Sequence, residues 1–198
     1  MTGGEAKAIL MDETGMKRAL MRISHEILER NNGTEGLVIV GIRRRGAELA
    51  KRIASDIEAI EGIKIPCADI DIRYYRDDCY YRDDKSPNDA AASEDKDGEG
   101  TLPVVGEGSL DFEVEGKNVI LVDDVFYTGR TARAAIEAIF SLGRPKTIRL
   151  AILIDRGHRE LPIRADYVGK SVPTAKSEIV KVMIPPYDEE TAAMLLDK

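Results

Sequence analysis

The stretch Val119-Ile120-Leu121-Val122-Asp123-Asp124-Val125-Phe126-Tyr127-Thr128-Gly129-Arg130-Thr131 joins an apolar run to two adjacent carboxylates and a hydroxyl-bearing turn. Four aliphatic residues in a row suit a strand buried on both faces, as in a parallel sheet. Such a strand delivers Asp123 and Asp124 to its C-terminal edge, where open α/β sheets take their ligands. Two carboxylates side by side are acceptors matched to the vicinal hydroxyls of a ribose. The turn from Tyr127 to Thr131 then enters a helix. Its unpaired N–H groups, the hydroxyls of Thr128 and Thr131, and the close approach allowed by Gly129 make a cradle for a monophosphate. The spacing of a Walker loop is absent, as is the Gly-x-Gly-x-x-Gly turn of a dinucleotide site.

Outward from this stretch, strands and helices alternate. Upstream, Met16, Leu20, Ile23 and Ile27 recur at helical spacing after Asp12-Glu13, and Asn31-Asn32-Gly33 ends that helix. Leu37-Val38-Ile39-Val40-Gly41 reads as a buried strand followed by a helix from about Gly46 to Ile60, and residues 63–72 as a second strand region. Downstream, a helix over about 129–142 with Gly143 past its end leads to a strand at Thr147–Ile154. The order predicts an α/β fold: a parallel twisted sheet flanked by helices, joined by right-handed crossovers, in one domain spanning 1–198.

Composition agrees. The chain has 198 residues, 43% hydrophobic and 33% charged, enough apolar side chain for one core and too much for a disordered segment. Its net charge of −7 is unevenly spread: residues 77–115 carry 13 acidic and 3 basic side chains, so the remainder is mildly basic. That acidic stretch lacks an apolar period and is rich in Gly, Ser, Asp and Glu, which predicts a long flexible loop over about 77–116, either disordered or acting as a lid. Cys67 and Cys79 have neither metal-site nor thioredoxin spacing, so no metal-ligating residues are assigned. The first ten residues include Glu5 and Lys7, and no apolar run approaches a membrane span; the expected location is cytoplasmic, with no membrane partner.

With these residues in view, the chain resembles the type I phosphoribosyltransferases, and within them the PyrR family of pyrimidine-operon attenuation regulators that are also uracil phosphoribosyltransferases. The resemblance rests on Asp-Asp-Val-x-Tyr-Thr-Gly-Arg-Thr, on Val40-Gly41-Ile42 before Arg45-Gly46, on Tyr75-Arg76-Asp77-Asp78, and on Asp155-Arg156-Gly157-His158-Arg159-Glu160-Leu161-Pro162-Ile163-Arg164-Ala165-Asp166-Tyr167. It spans about residues 12–177 and implies a phosphoribosyltransferase fold with a small C-terminal hood.

The same resemblance implies roles. Asp123 and Asp124 would hold the ribose hydroxyls of phosphoribosyl pyrophosphate, and Val125, Phe126, Tyr127, Thr128, Gly129, Arg130 and Thr131 would form the loop around its 5′-phosphate. Arg44 and Arg45 would face the pyrophosphate, with Arg45 grouped with Asp123 and Asp124 as catalytic, and Arg76 would reach it from the acidic loop. Asp155, Arg156 and Val172 would border the uracil, and Mg²⁺ would arrive with the pyrophosphate. Purine-salvage relatives often carry an acid where this chain has Tyr127, which favours a pyrimidine acceptor.

Arg18, Arg22 and His25 form a basic stripe on the first helix, opposite its apolar side. In the family such a face binds the pyrimidine mRNA leader. This chain departs from the pattern there, with Met21 and Arg44 where the family commonly has Thr. The expected function is therefore synthesis of uridine monophosphate (UMP) together with nucleotide-dependent attenuation, in a homodimer or higher oligomer. Two alternatives stand beside it: a nucleotide-sensing RNA-binding regulator with little turnover, and a phosphoribosyltransferase for another base.

Overall fold

The computed structural model describes residues 6–75 and 112–197. The elements are β1 (Ala6–Met11), α1 (Glu13–Asn31), β2 (Leu37–Ile42), α2 (Arg45–Glu61), β3 (Cys67–Ile70), a 3-10 turn at Arg73–Tyr75, β4 (Asn118–Phe126), α3 (Arg130–Leu142), β5 (Thr147–Asp155), β6 (Tyr167–Ser171), β7 (Glu178–Met183) and β8 (Ala192–Asp197). Five strands form a parallel sheet in the order β3-β2-β4-β5-β6. The predicted parallel sheet with flanking helices is what forms.

Alternation along the strands divides the core into two layers. Leu37 and Ile39 of β2, with Ile120 and Val122 of β4, face Met16, Leu20, Ile23 and Ile27 of α1 and Leu49, Ile53 and Ile57 of α2. Val38, Val40, Val119 and Leu121 face Ala132, Ala134, Ala135, Ala138 and Ile139 of α3 on the other side. The run of alanines lets α3 lie close to the sheet. Asp12 caps α1, its Oδ1 accepting from the Gly15 N–H at 2.7 Å, and Asn32 ends the helix in the left-handed conformation.

Strand order decides where a ligand can sit. From β2 the chain crosses through α2 to β3 on one side, and β4 and β5 then build out on the other, so the topological switch lies between β2 and β4. Pairing of β4 with β2 ends at Val122 opposite Gly41, whereas pairing with β5 runs on to Phe126 opposite Asp155. Asp123 to Phe126 therefore project past the end of β2, bordering an open crevice.

A second sheet lies apart from this one, in the order β1-β8-β7 and antiparallel throughout. It is the expected hood, with one addition. The sequence reading assigned no element to the first residues, and the structure places β1 there, paired with β8, Ala6 standing opposite Leu196. The strand region expected over 63–72 contracts to Cys67–Ile70, followed by the 3-10 turn. The expected flexible loop falls mostly outside the described residues, as do Arg76 and Cys79. Its last residues are corrected: Val114 is buried in the α3 layer, the Gly116 N–H donates to the Arg144 carbonyl, and Glu115 accepts from the Arg144 N–H.

Candidate active site

Glycine packing brings two loops together at the switch point. A Cβ on Gly46 would lie 2.6 Å from the Val122 carbonyl oxygen and 3.1 Å from the Asp123 Cα, so only glycine lets the turn after β2 rest on the end of β4. Gly41 is equally constrained, its Cβ position falling 2.4 Å from the Ala47 Cα. The turn holds a cis peptide between Arg43 and Arg44, and α2 begins at Arg45. The first N–H groups of α2 thus open beside the paired carboxylates.

Asp123 is 9% exposed and Asp124 partly buried. An Asp123 carboxylate oxygen accepts from the Asp124 N–H at 2.9 Å, and an Asp124 oxygen accepts from the Val125 N–H at 2.8 Å. Burial pushes the Asp124 carboxyl above its ordinary range, opposed by the Val125 N–H, the Asp123 carboxyl and the nearby positive charge of Arg45. A carboxylate held with so little solvent is poised to accept hydroxyl donors.

The turn after β4 is clasped from outside. Gly129 has φ +92°, with the Leu161 and Ile163 side chains beside it, and the Thr128 carbonyl accepts from the Glu160 and Leu161 N–H groups. Arg130 pairs with Glu160 through Nε and an Nη. The block 160–163 thereby fixes the shape of the loop that leads into the first turn of α3.

On the base side two of the expected residues already have intrachain partners. Arg156 was expected to border the base, but it is buried, and its guanidinium donates to Thr174 Oγ1, the Ala175 carbonyl and the Glu178 carbonyl. It also lies 4.2 Å over the Tyr127 ring. Those bonds draw Arg156 into holding the β6–β7 connection, so its contribution is to shape the pocket wall. Asp155 is likewise occupied, accepting from the Gly157 N–H and the Arg159 guanidinium. Val172 is half-buried against the core, and its N–H donates to the Asp155 carbonyl. His158 stacks edge-on to Tyr127, and its Nε2 lies 2.6 Å from the Thr174 carbonyl. A carbonyl only accepts, so that nitrogen carries the proton and is not a base.

Arg45 and Arg44 also differ from each other. The Arg45 side chain reaches the hood and forms a two-pronged pair with Asp188, at 2.9 to 3.1 Å. Arg44 is exposed. Asp188, Arg159 and Glu160 were missed by the sequence reading; Arg159 and Glu160 stood inside a quoted block without assigned roles, and Asp188 follows Pro185-Pro186-Tyr187, which signals only a turn.

One member of the basic stripe on α1 also has an intrachain role. Arg22 donates to the Val168 and Gly169 carbonyls and pairs with Glu26, so its guanidinium ties α1 to β6. Arg18, Arg22 and His25 are all exposed and line a groove of about 610 Å³ together with Lys17, Met21, Glu26 and Glu29.

Paired carboxylates at a switch point, with an anion-binding helix start beside them and an arginine turn across the crevice, describe a site for a phosphorylated ribose. The family model for the phosphoribosyl transferase domain matches residues 8–189, and the chain belongs to that family, on its PyrR branch. The bifunctional protein PyrR of Caldicellulosiruptor bescii is 52% identical over 186 residues, covering 94% of this chain and 93% of the relative. That of Clostridium novyi is 50% identical over 194 residues, covering 98% and 99%. Among solved structures, the hypoxanthine phosphoribosyltransferase of Trypanosoma cruzi superposes with a TM-score of 0.68 at 17% identity, covering 97% of each chain. The corresponding enzyme of Staphylococcus aureus gives 0.66 at 18%, covering 98% and 94%. These last two share the fold.

Proposed function

We propose that this protein transfers the phosphoribosyl group of phosphoribosyl pyrophosphate to uracil, giving UMP and pyrophosphate, and that it regulates pyrimidine biosynthesis genes by binding their mRNA leader when uridine nucleotide is present. The observation that carries this reading is the Asp123-Asp124 pair at the switch point of a chain half identical, over nearly its whole length, to bifunctional PyrR proteins.

In this reading Asp123 and Asp124 accept the ribose hydroxyls, and Thr128, Gly129, Arg130 and Thr131 enclose the 5′-phosphate. The turn at Arg44 and Arg45 faces the pyrophosphate. Charge spreads over ribose and leaving group as the C1–O bond lengthens, and oriented N–H groups and carboxylates already in place lower that barrier. Tyr127, held between Arg156 and His158, presents a ring where a flat pyrimidine would lie. Mg²⁺, when bound with the pyrophosphate, would supply charge neutralisation of the leaving group. Among the described residues no cluster of three ligating side chains is present. Mg²⁺ keeps most of its shell as water and substrate oxygen, so one or two carboxylates suffice, and Asp123 and Asp124 would hold it with the ribose.

Among the described residues no helix is long and apolar enough to cross a membrane. For RNA, Arg18, Arg22 and His25 are all exposed along the α1 stripe, and Arg22 also ties the helix to β6. Assembly into a homodimer or higher oligomer fits the exposed Ile9 and Ile179 of the hood sheet.

The test is pyrophosphate release from phosphoribosyl pyrophosphate and Mg²⁺ with uracil, beside Asp124→Asn. Turnover in the parent that collapses in the variant is expected. Absence of turnover with uracil would end the enzymatic reading, and competition by orotate or purines would reveal another base. A leader-RNA titration with and without UMP tests regulation, where an affinity indifferent to UMP would remove the switch.

A further inference from the structure

We infer that Asp188 of the hood is a positioning residue for Arg45, holding its guanidinium in the orientation that meets the pyrophosphate. This rests on the phosphoribosyltransferase reading above.

The carboxylate takes one edge of the guanidinium: Arg45 Nε donates to Oδ2 at 3.1 Å, and one Nη donates to Oδ1 at 3.0 Å and Oδ2 at 2.9 Å. The other Nη has no partner among the described residues. A planar fork fixed along one edge keeps its remaining N–H groups aimed in one direction, which a flexible arginine does not achieve alone. The pair is sheltered, with Asp188 14% and Arg45 32% exposed.

Asp188 is itself held. Its Oδ2 accepts from the Ile184 N–H at 3.1 Å while its own N–H donates to the Ile184 carbonyl at 3.1 Å. Burial works against its charged form, but the Ile184 N–H and Arg45 outweigh that and keep the carboxyl below its ordinary value of 3.8. The backbone of the same turn is pinned independently, because Gly46 rests on Val122 and Asp123. One loop is thus fixed twice: its backbone by β4, its side chain by the hood. The charge of Arg45 also reaches Asp124, so the orientation set by Asp188 bears on both ends of the ribose-pyrophosphate bond.

An acid near a leaving pyrophosphate has an opposite effect available to it. Were Asp188 only a neutralising charge, its removal would strengthen attraction for pyrophosphate. Positioning predicts weakening. In Asp188→Ala, KM for phosphoribosyl pyrophosphate should rise about tenfold, the scale of one charge-assisted hydrogen-bonded pair, with KM for uracil within about twofold of the parent. Asp188→Asn keeps an acceptor for Arg45 and the Ile184 N–H and should restore part of the loss. In an Arg45→Ala background, Asp188→Ala should add nothing.

A lower KM for phosphoribosyl pyrophosphate in Asp188→Ala, equal rises in both KM values, or a full additive loss on top of Arg45→Ala would each overturn the inference. A measurement free of turnover separates it from the functional reading: the Arg45 Nε–H resonance in the ligand-free parent should be sharp and slow to exchange, and lost in Asp188→Ala. A resonance unchanged by the substitution refutes the positioning role whatever the substrate proves to be.

Discussion

Replacing Gly46 by alanine tests whether the two loops of the site are held at a required separation. The added methyl would sit 2.6 Å from the Val122 carbonyl oxygen, about 0.8 Å inside the 3.4 Å at which ordinary contact begins, and 3.1 Å from the Asp123 Cα. Both opposing atoms belong to backbone in the sheet, so neither yields as a side-chain tip would. The arginine turn must back away from β4 by most of that shortfall. Overpacking of this kind costs about 1–3 kcal/mol. At about 2–4 °C per kcal/mol for a chain of this size, the melting temperature should fall by about 2–12 °C. Function should suffer more, because a misplacement approaching 1 Å between groups that act on one substrate costs about a hundredfold in kcat/KM.

Gly62→Ala is the matched control. Gly62 has φ +71° at the end of α2 and no atom within 4 Å of its Cβ position, so the variant loses about 1 kcal/mol through backbone strain alone. Its kcat/KM should match the parent. Differential scanning fluorimetry and pyrophosphate-release kinetics on both variants give the answer. A Gly46→Ala protein with kcat/KM within threefold of the parent would refute the view that the crevice width is set by this contact.

Three further outcomes are expected. Asp124→Asn should melt above the parent at pH 7, since burial raises the folded-state value of Asp124 and its ionised form opposes folding there; the gain should fade as the pH falls through that raised value and vanish below the ordinary 3.8, and a gain that grows toward acid would contradict this. Arg156→Ala should lose about 2–4 kcal/mol by leaving the Ala175 and Glu178 carbonyls and Thr174 without their donor, so a melting temperature equal to the parent's would refute its structural role. Arg18→Ala should leave the melting temperature unchanged but reduce the salt slope of leader-RNA binding by about one, and an unchanged slope would take Arg18 off the RNA face.

The sequence disclosed the parallel sheet and the acidic pair because both rest on local signals. An unbroken apolar run such as Leu121-Val122 needs burial on both faces, and a turn such as Thr128-Gly129 needs glycine for its positive φ. The hood was less legible. Its strands β1 and β8 are six residues each and find one another across nearly the whole chain, so no local period announces the pairing. The partners of Arg156 were illegible for a related reason: an arginine after a strand reads as a ligand-facing group, and only tertiary structure brings the Ala175 and Glu178 carbonyls to it. Arg22 shows the same limit, since helical spacing places it outside the core without revealing that β6 takes its donors. Asp188 gave no signal, because its partner Arg45 lies far away in sequence.

The pairing of β1 with β8 also has a consequence for the order of assembly. On the ribosome, Ala6 to Met11 emerge before any other described strand, yet the edge they join does not exist until Ala192 to Asp197 have been made. The parallel sheet can gather as its strands appear, while β1 waits until β8 has been made. Arg45 acquires Asp188 only after 143 further residues have been made. A nascent chain therefore carries the paired carboxylates before it carries the completed arginine turn, and readiness to handle phosphoribosyl pyrophosphate waits for the hood.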